Sequence, residues 1–138
     1  MVDSLTPEER SQIMARVRSK NSRPELAVRK IVFGFGYRYR LHARTLPGCP
    51  DLVFRPRRKI IFVHGCFWHR HANCILARMP KSRIGFWSTK LEGNRKRDER
   101  NKRALVREGW NVLTIWECQL RDAERLGARI RRFLDEER

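Results

Sequence analysis

The stretch Asp51-Leu52-Val53-Phe54-Arg55-Pro56-Arg57-Arg58-Lys59-Ile60-Ile61-Phe62-Val63-His64 sets the fold. Two short apolar runs rich in β-branched and aromatic residues flank a Pro-containing basic turn, which predicts two antiparallel strands. Upstream, Tyr37 to His42 alternates aromatic or apolar with basic residues and predicts a third strand, delivered to Asp51 by the turn chemistry of Leu46-Pro47-Gly48-Cys49-Pro50. The three read as a β-meander.

Helices are predicted on both sides. Thr6-Pro7-Glu8-Glu9 and Ser22-Arg23-Pro24-Glu25 both have capping-box spacing, which predicts one helix to about Arg18 and a second burying Ala27, Ile31 and Phe35. A helix from about Ser88 to Glu108 should stop at Gly109, a buried strand should run from Trp110 to Trp116, and a basic helix from about Asp122 to Leu134 closes the chain. The order α-α-β-β-β-α-β-α, with no repeat or linker, predicts a single α/β or α+β domain over residues 1–138 with a mixed sheet.

The chain has 138 residues, with 32 Lys+Arg against 15 Asp+Glu, a formal charge of +17. Such a field attracts polyanions, so nucleic acid is the leading partner class. No apolar run approaches membrane-spanning length and the start does not resemble a secretory signal, so a cytoplasmic protein without a membrane partner is expected. Cysteines there point to metal or free thiols before disulfides.

Beyond the hairpin lies Cys66-Phe67-Trp68-His69-Arg70-His71-Ala72-Asn73-Cys74. With His64, this region holds three of the four histidines and two of the four cysteines. Cys66, His71 and Cys74, separated by four and then two residues, can surround one tetrahedral ion. Cys118, just after the predicted strand ending at Trp116, is the better fourth ligand; Cys49, in a tight turn, is the weaker. Such a closed site would be structural zinc, although unligated buried cysteines are the plainer reading.

Asp51 at a strand start suits Mg²⁺, which prefers oxygen donors and retains waters, but it can equally be a turn residue. Antiparallel pairing should bring it beside His64. His69, between two proposed zinc ligands, is either a free imidazole able to take a proton from water or a fourth zinc ligand. Leu91, Asn94, Asp98, Asn101 and Leu105 share one helical face, so Asp98 points inward and needs a partner such as His64. Glu25 is explained by its capping-box position, yet it could also orient a histidine or a metal-bound water. Phe67-Trp68 and Phe86-Trp87 are candidates for wedging between base pairs, or for a small apolar core around the metal. Met14 and Val17 could reach a minor groove or simply pack a helix.

At these residues the chain resembles the very-short-patch repair (Vsr) endonucleases, a branch of the PD-(D/E)xK, restriction-endonuclease-like nucleases. The matching blocks run in order: Arg10 to Met14, Arg18 to Asn21 with Pro24-Glu25, Leu46 to Asp51, His64 to His71, Phe86 to Lys90, Asn94 through Asp98, and Gly109-Trp110 through Cys118. The resemblance implies a metal-dependent enzyme that nicks 5′ to the thymine of a T:G mismatch left by deamination of 5-methylcytosine. It implies Mg²⁺ on Asp51 with a backbone carbonyl near Phe62 or Val63, His69 activating water, His64 paired with Asp98 near the phosphate, and Glu25 in support. Cys66, His71, Cys74 and Cys118 would hold Zn²⁺. Phe67, Trp68 and Trp87 would form the wedge, with Met14, Val17 and Lys90 near the mismatch and Asn94 on the DNA side. Double-stranded DNA would be the substrate, a MutL-type protein a repair partner, and a DNA cytosine methyltransferase a functional one, in a bacterial cytoplasm at the nucleoid. Against the wider pattern, Phe62 and His64 stand where an acid and a lysine are usual, and Cys49 stands where a basic residue is common within the family. Two other readings stand beside it: a zinc-stabilised, non-catalytic DNA-binding module, and a related nuclease with another lesion preference.

Overall fold

The computed structural model describes residues 22–72, 74–77 and 83–136. The expected first helix, with Met14 and Val17, lies outside them. The described order is α1 (Arg23–Gly34), β1 (Arg40–Leu41), β2 (Leu52–Phe54), β3 (Lys59–His64), α2 (Ile84–Arg107), β4 (Asn111–Trp116) and α3 (Ala123–Asp135). The sheet runs β1-β2-β3-β4, antiparallel across the first two pairings and parallel between β3 and β4.

β3 is buried along its whole length because both sheet faces are covered, which explains its unbroken apolar run. Successive side chains alternate: Ile61 and Val63 pack with Val28 and Val32 of α1 and with Leu126, Ile130 and Leu134 of α3, whereas Ile60 and Phe62 pack with Leu105 of α2 and Trp110. Lys59, buried at the start of β3, donates to the carbonyls of Phe133 and Glu136, and Arg57 Nη1 donates to Leu134 O at 2.9 Å. These cations occupy orphan acceptors at the α3 C-terminus and hold that helix to the end of the sheet away from His64. At the end of α2, Gly109 (φ +92°) supplies the left-handed residue that turns the chain into β4.

Three expectations shift. The predicted strand over Tyr37–His42 narrows to Arg40–Leu41, and α2 starts a turn before Ser88. The buried face of α1 is Glu25, Val28 and Val32 rather than Ala27, Ile31 and Phe35: Ile31 is half-buried and Phe35 is exposed. Apolar residues surround most of this helix, so periodicity alone does not select a face. Glu25, treated as a cap, belongs to the buried stripe. Among the described residues no helix is long and apolar enough to cross a membrane.

Candidate active site and metal centre

In the parallel β3–β4 pair His64 lies opposite Trp116, so Cys66 and Cys118 fall two residues beyond the same rung. The Cys118 N–H donates to Cys66 Sγ (3.4 Å), and the Cys66 N–H donates to Glu117 Oε1 (3.3 Å). A tight loop returns the chain, with His71 N donating to Cys66 O at 3.0 Å. Ligand atoms of Cys66, His71, Cys74 and Cys118 all lie within 4.8 Å of one another. The His71 ring stacks on Trp116, centroids 4.2 Å apart. Burial pushes the Cys66 thiol up to about 12 and lowers His71, keeping its imidazole in the neutral form that ligates. A buried thiol that resists ionising without a cation, beside a neutral imidazole and two further thiols, is a donor set suited to a metal. Cys49, at φ +47° in its turn, is not in this group, and neither is His69.

A cleft of about 540 Å³ opens beside this cluster at the C-terminal end of β3. Gly48 shapes one wall: at φ +77°, a Cβ there would lie 3.1 Å from Asn101 and 3.2 Å from Phe62, so only glycine lets the turn before Asp51 approach α2 this closely. The β2–β3 register, Leu52 opposite Ile61, places Asp51 beyond the pair, with Oδ2 accepting from the Val63 N–H at 2.7 Å. Its expected neighbour was His64. The carboxylate instead faces Glu25 and His42, within 4.8 Å. Burial raises the Asp51 carboxyl to about 7 against the pull of the Val63 N–H, and the nearby Glu25 carboxylate adds to the rise. An acid so placed favours a cation, which fits the Mg²⁺ expectation.

Glu25 is only partly a cap. The Ser22 hydroxyl accepts from its N–H (3.4 Å), but its side chain turns inward, where Oε2 accepts from His42 Nε2 at 2.7 Å and Arg29 Nη1 at 3.1 Å. His42 was absent from the sequence-derived site. A lone histidine at a strand end carries no motif, and the one available signal was that a buried Glu25 requires partners.

On the opposite wall the expected His64–Asp98 pair is corrected. Asp98 Oδ2 accepts from His69 Nδ1 at 2.5 Å, and His64 stacks flat on the His69 ring, centroids 3.8 Å apart at 8°. The loop returns at His69 (N to Gly65 O, 3.1 Å) and inserts that ring between His64 and α2. Burial, then the adjacent His69, takes His64 down to about 3 despite Asp98, so it is a neutral ring; its Nδ1 has no hydrogen-bond partner among the described residues. Asn94, also buried, donates to Trp68 O at 3.0 Å and ties α2 to the loop. Arg97 adds a guanidinium to the cleft wall.

The aromatic residues form one edge-to-face cluster: Phe67 to Trp68 at 5.1 Å, Phe67 to Trp87 at 5.4 Å and Trp68 to Trp87 at 6.0 Å. Phe67 and Trp68 are half-buried on the cleft wall, whereas Trp87 is 5% exposed and backs them from α2. Phe86 is exposed, and Lys90 lies half-buried one turn after it.

The mixed sheet's central hairpin carries a carboxylate into a histidine-lined cleft, in keeping with the restriction-endonuclease-like fold that the resemblance implies. The chain's relatives agree. Residues 2–75 match the family model described as DNA mismatch endonuclease Vsr. The chain is 53% identical to the Type II nicking enzyme V.XorIIP of Xanthomonas oryzae pv. oryzae over 98% of both chains. It is 38% identical to the DNA mismatch endonuclease Vsr of Escherichia coli K12, covering 91% of this chain and 80% of that one. The protein belongs to the Vsr family, and is a DNA endonuclease.

Two outcomes follow from the geometry. Cys118→Ser should lower bound metal well below one equivalent and cost several kcal/mol, a share of the roughly 10–16 kcal/mol that a structural zinc site can supply. Cys49→Ser should change neither metal content nor unfolding midpoint. For Asp51 the folded value exceeds 3.8, so ionisation opposes folding: the cost is absent below about pH 4, grows as pH rises and is complete above about 7. In magnesium-free buffer the stability of Asp51→Asn relative to wild type should therefore increase by ~2–4 kcal/mol between those limits. Parallel denaturation curves, with a pH-independent difference, would contradict it.

Proposed function

We propose that the protein nicks one strand of duplex DNA 5′ to the thymine of a T:G mismatch produced by 5-methylcytosine deamination, initiating very-short-patch repair. The observation that carries the reading is the His69–Asp98 pair facing the Asp51–Val63 clamp across one cleft. Relatives named as nicking enzymes support scission of a single strand.

Asp51, through the oxygen not engaged by Val63, would hold Mg²⁺ with a main-chain carbonyl near Val63. When bound, the ion would offset charge developing on the phosphate. Asp98 accepts from Nδ1–H of His69, which fixes the tautomer and leaves Nε2 as the proton acceptor. A water loses its proton to Nε2 as its oxygen bonds to phosphorus. The P–O3′ bond then breaks, and the departing oxygen takes a proton from solvent. His64 acts as a neutral hydrogen-bond donor to the phosphate rather than as the cation that a lysine would be, and Arg97 supplies positive charge nearby. Glu25 supports Asp51.

Cys66, His71, Cys74 and Cys118 form a closed Cys₃His set, for which Zn²⁺ is the natural structural ion. Phe67 and Trp68, backed by Trp87, form the wedge beside the mismatch, with Lys90, Asn94 and, outside the described residues, Met14 and Val17 contributing contacts. The same reading makes a MutL-type protein a repair partner and a DNA cytosine methyltransferase the source of the lesion, at the nucleoid in a bacterial cytoplasm.

The test is nicking of end-labelled duplexes that differ only in T:G against T:A. We expect a mismatch-dependent, Mg²⁺-dependent single nick, reduced about 10²–10⁴-fold in His69→Ala. Equal cutting of both duplexes would remove the specificity. DNA binding with no activity affected by His69→Ala or Asp51→Ala would favour a non-catalytic module.

A further inference from the structure

We propose that His42 is a positioning residue that fixes the distance and orientation of Glu25 relative to Asp51, and through them the affinity of the cleft for its divalent cation. The inference rests on the assignment of Asp51 as the cation ligand.

Three separate observations place His42 in this role. Its ring is largely buried and directs Nε2 at Glu25 Oε2, 2.7 Å away. A carboxylate only accepts, so the ring donates, and its tautomer is set by that bond. Its main chain is bonded to the same site, because His42 N donates to Asp51 O at 3.2 Å. Its backbone is also left-handed, φ +49°, an uncommon conformation for a residue with a side chain, though one that His takes more readily than most. One residue therefore grips Glu25 with its side chain and Asp51 with its backbone, at a conformational cost that a simple β1–β2 connection does not require.

Two carboxyls that share one pocket present a defined donor set to a cation only if their relative orientation is fixed by their own partners. The Glu25 carboxyl is in hydrogen-bond contact with Asp51, and His42 and Arg29, both donating to its Oε2, set its orientation at that contact. Removing the imidazole frees one side of that anchor and lets the Glu25 carboxyl change its orientation against Asp51.

His42→Gly separates backbone from ring, since glycine takes φ +49° without strain. His42→Gln restores a donor at the reach of Nε2. We expect His42→Gly to fold with a far-ultraviolet spectrum like wild type, to need about 10–100-fold more Mg²⁺ for half-maximal nicking, and to lose much of the Mg²⁺-induced rise in melting temperature. KM for DNA should be unchanged, and His42→Gln should recover most of the Mg²⁺ response. Magnesium titrations of His42→Gly that overlay wild type in both rate and melting temperature would overturn the proposal. So would a Gln variant as impaired as Gly. Should His42→Gly fail to fold, the Gln variant decides alone, against His42→Leu. If Asp51→Asn keeps the wild-type Mg²⁺ response, the assignment of the cation site fails instead.

Discussion

The parallel register between β3 and β4 is the constraint on which the remainder depends. Because His64 pairs with Trp116, the chain leaves both strands in step, and Cys66 and Cys118 arrive together. A one-residue slip would turn every side chain of β4 to the opposite face, taking Leu113 and Ile115 out of the core formed with α1 and α3 and separating the two thiols. The connection between these strands contains α2, so the same register brings Asn94 and Asp98 over the loop at Trp68 and His69. Cluster and cleft are thus two consequences of one pairing.

The cleft combines groups that burial drives in opposite senses. Asp51 is pushed toward its protonated form and His64 toward its neutral form, within a cleft that also holds Glu25, Arg97 and Asp98, in a chain of formal charge +17. Long-range attraction brings the polyanion, while the poorly solvated cleft selects what ionises there. His69 is treated differently: more accessible and bonded to Asp98, it has a partner that fixes the orientation of its ring. The stacked neighbour, His64, fills the space behind it.

Much of this was legible in the sequence because it is local or strand-borne. The continuous apolar runs of β2 and β3 located Asp51 at a strand start, and the position of Cys118 just past a buried strand singled it out over Cys49 as the fourth member of the cluster. What was lost depended on side-chain direction. His64 and His69 are five residues apart on the same side of the cleft, and nothing in their spacing says which ring reaches Asp98; the backbone return at Gly65 decides it. Glu25 could be a helix cap or could orient a histidine by sequence alone, but nothing in the pattern said which histidine, so His42 was not legible. Trp87 could be a wedge or part of a small apolar core by sequence alone; it is buried against Phe67 and Trp68, a contact between segments that pattern alone does not reveal.

The central claim is that the Cys₃His cluster holds the loop while the Asp51 and His69 cleft performs the hydrolysis. Replacing the cluster's metal with cobalt(II) tests this directly, since its visible spectrum reports coordination. The account predicts a four-coordinate spectrum unchanged by mismatched DNA, and a nicking rate that still requires Mg²⁺ and matches the zinc form. A spectrum that shifts on DNA binding, together with a rate that follows the identity of the cluster metal, would contradict it.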